Sequence, residues 1–284
     1  LRQMGLALQN YEGAHRFFPG IGRSPNQVSV HTKLLPFIEQ DNLNRLYNPN
    51  QPLFNLVGGI PTFNPTQTKA ATTRVPMFLC PSDGQSPLFT RWGVTGVVGT
   101  SYVVSTGTGT GRYYDTSFPT DGVFWIDSRE GFGGMTDGSS NTLVMSEALL
   151  GAGFDTIGPA PAVSKRQHAN ISKLVTTDKI NGGTIPPMTD ALCASPPVWT
   201  GERCMAWVYG LHSSTTFNAY LPPNSRIPNC TAHGTGRMKA ASQHPGGVNV
   251  LLGDGSVRFV SDSISLTTWR ALATRASADL TGDY

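Results

Sequence analysis

Along the opening stretch, LRQMGLALQNYEGAHRFFPG, the apolar positions recur at helical spacing, with Leu1, Met4, Leu8 and Tyr11 on one face. This predicts an amphipathic helix ending near His15, with Phe17-Phe18-Pro19-Gly20 as its exit. The periodicity starts at the first residue with no capping residue ahead of it, so the helix is expected to continue upstream into an apolar segment. LLPFIEQDNLNRLYNPN predicts a second short helix starting at Pro36, because proline is tolerated in a first helical turn. Residues 48–73, rich in Pro, Asn, Gly and Thr, read as a long loop or extended arm. Strand-like patterns follow. VPMFLCPSD predicts a short buried strand ending in a turn. GVTGVVGTSYVVSTGTGTG alternates small and β-branched residues before a Gly-Thr loop, and DGVFWID and SNTLVMSEALL are further strand candidates. Residues 151–243, with proline pairs at 186–187, 196–197 and 222–223, read as an elaborated, loop-rich insertion. Ser265 is placed to cap a last helix lined by Leu266, Trp269, Leu272 and Ala276.

The stretch SQHPGGVNVLLGDGSVRFVSD carries a histidine, His244, ten residues ahead of Asp254-Gly255. Its two β-rich runs, Val248 to Leu252 and Val257 to Val260, flank an Asp-Gly pair, the strongest local signal for a hairpin. With Asp254 and Gly255 as the loop, Leu252 faces Val257, Val250 faces Phe259 and Asn249 faces Val260. Val248, Val250, Leu252, Val257 and Phe259 then share one apolar face. At about 3.3 Å per residue His244 and Asp254 stand roughly 30 Å apart, too far to share a proton or a metal. His244, Gly246, Gly247, Asp254 and Gly255 therefore read as a structural motif.

Composition adds to this outline. The chain has 284 residues, with 32 Gly and 21 Pro but only 14% charged residues, so Ser, Thr, Asn and Gln must supply much of the polar surface. That favours many short strands and turns, as in secreted β-rich proteins. A net charge of +3, with scattered Lys and Arg, gives no basis for nucleic-acid binding. Cys80, Cys193, Cys204 and Cys230 are even in number and include no C-x-x-C pair. They point to two disulfides in an oxidising compartment, with Cys193–Cys204 and Cys80–Cys230 the favoured pairing of three.

Catalytic signals are sparse. No G-x-S-x-G elbow, H-E-x-x-H pair or phosphate-binding glycine loop occurs, and the six histidines lie far apart in sequence. Asp137, Ser139, Asn141 and Glu147, around TDGSSNT, offer oxygen atoms for calcium, but they lack the spacing of a dedicated loop. A tight turn is the competing reading. No other cofactor and no catalytic residue is predicted.

The stretches LRQMGLALQNYEGAHRFFPG, LLPFIEQ, FLCPSD, TSYVV, MTDGSSNTLVMSE, HPGGVNVLLGDGSVRFVSDSI and WRALATRA occur in an order resembling one family. It is the prepilin-like secreted proteins with an H-(x)9-D-G motif, expanded in planctomycete bacteria. The resemblance implies an α+β, pilin-like fold. Residues 1–20 would be the C-terminal part of the N-terminal helix. Residues 21–284 would form one β-rich head carrying 151–243 as an insertion, and a short helix would close the chain. It also implies a leader and a hydrophobic segment upstream, the only route by which a membrane would be engaged. The expected function is a non-enzymatic subunit of the bacterial surface, extracellular and polymerising with identical copies through the stripe Leu1, Met4, Leu8 and Tyr11. A secreted carbohydrate- or envelope-binding module and a secreted hydrolase are the alternatives.

Overall fold

The opening helix forms where its periodicity places it. In the computed structural model, α1 spans Arg2–His15 and stops at Arg16, whose left-handed backbone (φ 67°) sends its N–H to Glu12 O. The structure describes residues 1–58, 60–160, 164–175 and 188–279. After α1 come α2 (Val30–Leu34), α3 (Asp41–Leu46), the hairpin of β1 (Phe54–Val57) and β2 (Ile60–Phe63), and α4 (Pro65–Ala71). A second hairpin, β3 (Leu88–Arg91) and β4 (Val94–Val98), precedes β5 (Tyr102–Ser105) and β6 (Leu143–Glu147). The next segment holds β7 (His168–Asn170), α5 (Asp190–Ala194), β8 (Val198–Thr200), α6 (His212–Thr215) and β9 (Thr216–Phe217). Then follow β10 (Asn229–Ala232), β11 (Thr235–Arg237), β12 (Gly247–Leu252), β13 (Val257–Ser261) and α7 (Leu266–Ala273).

The main sheet has the order β13-β12-β6-β5-β9, antiparallel except for the β5–β9 edge. Its central strand, β6, is buried at all five positions, which explains an apolar run where a one-sided strand would alternate. α1 rests on this sheet with Met4, Ala7 and Leu8 buried; a Cβ built on Gly5 would stand 2.7 Å from Leu251 Cδ1, so glycine permits the close approach. α7, capped by Ser265 as expected, packs against β6 through a face that includes buried Trp269 and Leu272. A second sheet, β11-β10-β7-β8, has its own small core of Ala169, Ile171, Cys193, Trp199, Cys230 and Ala232 with Tyr114. Between its strands the chain returns to the main core through Cys204, Met205, Trp207 and Phe217, so the 151–243 segment serves both cores. The architecture is α+β, with an N-terminal helix, antiparallel and mixed sheets and a short C-terminal helix. Among the described residues, no helix is long and apolar enough to cross a membrane.

Several expectations are corrected. VPMFLCPSD is not a strand; it makes two 3-10 turns, Pro76–Phe78 and Pro81–Asp83, each opened by a proline that lacks the N–H a ladder needs. DGVFWID contributes one bridge, Ile126 to Ile21, and no strand. Residues 48–73 hold the β1–β2 hairpin and α4, whose start is fixed by Asn64 accepting from Thr66 N ahead of Pro65. The helix expected from Pro36 is broken in two: a 3-10 turn, Leu35–Phe37, runs on from α2, which Ser29 caps, and the helical part of the stretch is α3, Asp41–Leu46. The proline pair at 186–187 lies outside the described residues.

The β12–β13 hairpin exists, but its register is shifted by one residue. Val248 faces Val260, Val250 faces Arg258 and Leu251 faces Val257. The loop has three residues, Gly253-Asp254-Gly255, with Gly255 at φ 84° and its N–H on Leu252 O at 3.0 Å. This is a turn followed by a left-handed glycine, the commonest hairpin loop after the two-residue type. A one-residue shift exchanges faces. Phe259, expected in the core, is accordingly 51% exposed, and Leu251 takes the place facing α1.

Candidate functional site

Asp254 behaves as turn chemistry. Its Oδ1 accepts from Ser256 N (2.8 Å) and Ser256 Oγ (2.6 Å), and its own N–H bonds Ser139 O (3.0 Å) across to the TDGSSNT turn. Gly246 (φ 81°) turns the corner into β12, and at Gly247 a Cβ would lie 2.2 Å from Val260 O. His244 is not a partner of Asp254. It points the other way, into the molecule.

There His244 Nε2 lies 3.1 Å from Glu147 Oε1 and 3.8 Å from Cys80 Sγ, and Cys80 Sγ lies 3.7 Å from the same Glu147 oxygen. Each group arrives by a different route. Cys80 sits between the two proline-opened 3-10 turns, Glu147 ends β6, and His244 precedes the Pro-Gly-Gly corner before β12. Glu147 is held rigidly. Its side chain is 3% exposed, Asn249 N donates to Oε2 at 2.7 Å, and Asn249 Nδ2 reaches both oxygens at 3.2 Å. The ladder between β6 and β12 ends here: Glu147 O accepts from Ala241 N at 3.0 Å, and the carboxylate takes the N–H that β12 turns away. His244 is oriented through its backbone, its N–H bonding Ser242 Oγ (3.1 Å), which bonds Gly247 O (2.8 Å).

The electrostatics follow from burial. Burial pushes the Cys80 thiol above its ordinary pKa, and the Glu147 charge adds to the shift while Ser82 opposes it. Tyr102, the partner of Glu147 on neighbouring β5, is pushed up as well, chiefly by burial. A small pocket of about 10 Å³ opens between Cys80, Asp83, Glu147, Ala148, Ala241 and Ser242. That is room for about one water. Among the described residues, Cys80, Glu147 and His244 are the one group of three such side chains with ligand atoms within 4.8 Å of one another.

Beside this cluster, Asp83 is tied down with unusual completeness. Its carboxylate accepts from Arg166 Nη1 (2.5 Å) and Leu150 N (2.9 Å), and its backbone oxygen accepts from Arg166 Nη2 (2.7 Å). This clamp locks the Cys-Pro-Ser-Asp turn onto the chain leaving β6.

The disulfide expectation is corrected. Cys193 on α5 is bonded to Cys230 on β10, with Cα atoms 5.6 Å apart, while Cys80 and Cys204 are free. The second small core brings Cys193 and Cys230 together. Cys204 is buried in the main core, where burial pushes its thiol up to about 11, and Cys80 faces Glu147 and His244. The stripe proposed for assembly is also redirected. Met4 and Leu8 are fully buried against the protein's own sheet and Leu1 and Tyr11 pack at the edge of that core, so the stripe is spent within one subunit.

The oxygen set considered for calcium does not converge. Asp137 accepts from Ser277 N and Ala278 N (both 2.8 Å), Asn141 Nδ2 bonds Asp137 O (3.1 Å), Ser139 offers its carbonyl to Asp254, and Glu147 belongs to the histidine cluster. Of the tryptophans, Trp199, Trp207 and Trp269 are core residues, whereas Trp92 joins Phe54, Phe63 and Tyr209 in an aromatic group. Phe54, Trp92 and Tyr209 of that group wall a cleft of about 290 Å³, lined also by Ser24, Pro25, Gln27 and Leu56.

The Cys80–Glu147–His244 cluster was invisible to a search for closely spaced ligand motifs, because its members are 67, 97 and 164 residues apart. The available signal was indirect: FLCPSD, MTDGSSNTLVMSE and HPGGVNV are three of the stretches that carry the family resemblance, and they meet in one place. In comparison with known proteins, residues 1–267 match the family model SBP_bac_10, described as "Protein of unknown function (DUF1559)". No curated protein and no solved structure matches the chain.

Proposed function

The chain belongs to that family, and from this premise we propose that it is a non-enzymatic, pilin-like structural subunit of the bacterial cell surface, as in the prepilin-like proteins of planctomycetes. The observation that carries this reading is the way α1 is laid on the main sheet. Met4, Ala7 and Leu8 are covered, while Arg2, Gln3, Asn10 and Ala14 face outward, so the helix and the antiparallel sheet form one unit. The Cys193–Cys230 disulfide supports a location outside the reducing cytoplasm. Because the helix stripe is used internally, contacts between copies fall to the head, where Leu56 and Val57 protrude from the β1–β2 hairpin at 74% and 64% exposure. Electron microscopy of the full-length protein purified from its native envelope tests the reading. Ordered filaments or tubes are expected; dispersed monomers at high concentration would overturn it.

A second reading has one observation in its favour. The cleft lined by Phe54, Trp92 and Tyr209 combines flat aromatic faces with the polar Ser24 and Gln27, the chemistry that stacks on a sugar ring. In that reading the protein is a carbohydrate-binding module of the envelope. Saturable glycan binding by discrete monomers, lost in Trp92→Ala, would favour it over the structural role.

A further inference from the structure

We propose that Cys80, Glu147 and His244 bind one zinc ion. The two sulfur distances within the cluster fit a metal better than they fit hydrogen bonds. A thiol 3.7 Å from a carboxylate oxygen and 3.8 Å from an imidazole nitrogen makes only weak contacts with either. On a tetrahedral zinc, however, with bonds of about 2.3 Å to sulfur and about 2.0–2.1 Å to nitrogen or oxygen, sulfur stands about 3.6 Å from its neighbours. The nitrogen and oxygen ligands then stand about 3.3 Å apart. The cluster has 3.7, 3.8 and 3.1 Å along the corresponding edges. Three ligand atoms already occupy one face of a tetrahedron.

The surroundings carry the argument further. Asn249 N donates to Glu147 Oε2 and Asn249 Nδ2 reaches both oxygens, which fixes the carboxylate with Oε1 facing sulfur and nitrogen. Such outer partners orient ligands in metal sites. A thiolate beside an imidazole selects zinc over magnesium or calcium, which prefer oxygen alone. The adjoining pocket of about 10 Å³, walled by Cys80 and Glu147, has room for about one water as a fourth ligand, and the ion would act as a clasp. It joins three segments separated by 67 and 97 residues: the turn after β2 and α4, the end of β6 and the corner before β12. Taken with the proposed location outside the cytoplasm, ligation also accounts for a half-buried thiol that no disulfide pairs.

Zinc alone is the probe. The full chain, stripped with chelator and dialysed against zinc, is expected to retain about one equivalent by elemental analysis. Cobalt in its place should give the absorption of a thiolate-bound, tetrahedral ion. Cys80→Ser and His244→Ala should each weaken binding at least tenfold, since losing a ligand costs no less than the roughly tenfold loss of an outer partner, while His233→Ala, remote from the cluster, leaves it unchanged. Circular dichroism establishes that each variant is folded. A variant that does not fold is replaced by a measurement on the unaltered protein: alkylation of Cys80, followed by peptide mapping, should be blocked by zinc and restored by chelator. A folded protein that retains no zinc, or whose Cys80 alkylates equally fast with zinc and with chelator, overturns the proposal. Neither result depends on whether the protein forms filaments.

Discussion

Replacing Asp83 with alanine should be among the most damaging single changes in this protein. The Asp83 side chain is 3% exposed and Arg166 15%, so the pair lies largely out of water. Removing the carboxylate strands the Arg166 guanidinium, which keeps only Leu150 O (2.8 Å) and Asp83 O (2.7 Å), and it orphans the Leu150 N–H. Breaking a buried ion pair from one side costs about 3–5 kcal/mol, because the remaining charge stays desolvated without its partner. Unfolding a chain of this size releases roughly 0.6 kcal/mol per degree of entropy, so the midpoint should fall by about 5–8 °C. The assay is thermal and urea unfolding of the two proteins with chelator present, which removes any contribution from metal at neighbouring Cys80. Asp83→Asn, which keeps an acceptor for Leu150 N, should fall between them. Joint replacement, Asp83→Leu with Arg166→Met, should recover much of the loss, since no charge then remains buried. An Asp83→Ala protein within about 1 kcal/mol of the original would refute the claim that this clamp holds the turn to β6.

Two further outcomes test other parts of the structure. His31 and His168 are buried and neutral, with pKa values lowered by burial to about 4 and about 3, Arg203 adding to the second. Unfolded histidine titrates near 6.5, so the unfolded chain takes up protons first and stability falls as pH drops below that value, by about 4 kcal/mol for the pair at pH 5. Urea midpoints at pH 7 and pH 5 check this, and His168→Gln should remove about half of the pH dependence; equal midpoints would sink it. For the disulfide, non-reducing peptide mapping should recover Cys193 joined to Cys230 with free thiols at Cys80 and Cys204, and reduction should cost about 4 kcal/mol for a loop of 37 residues. A Cys193–Cys204 peptide would contradict the second core.

The elements legible in the chain were those whose cause is local. α1 follows from Leu1, Met4, Leu8 and Tyr11 at helical spacing, α7 from the Ser265 cap, and the β12–β13 hairpin from β-rich runs around Asp-Gly. Even there, the loop length could not be read. Gly253 joined the turn as a third residue, and the register moved by one. VPMFLCPSD failed as a strand because Pro76 and Pro81 outweighed its apolar pattern. Residues 48–73 looked structureless because their signals, Asn64 ahead of Pro65 and the short β1–β2 turn, are brief ones in a polar stretch.

Local order along the chain thus determined where the backbone turns, where it coils and which residues want cover, because caps, periodicity and turn chemistry act over a few residues. Which residues meet was decided only by strand order. Setting β6 between β5 and β12 places Tyr102 beside Glu147 and carries Asn249 and His244 to the same end of the sheet, while the Asp83–Arg166 clamp brings Cys80 up to them. Cys193 finds Cys230 in the same way, through a small core that no spacing of cysteines foretells. Contacts across such long stretches depend on the packing of the whole sheet, and no short window of sequence contains that information.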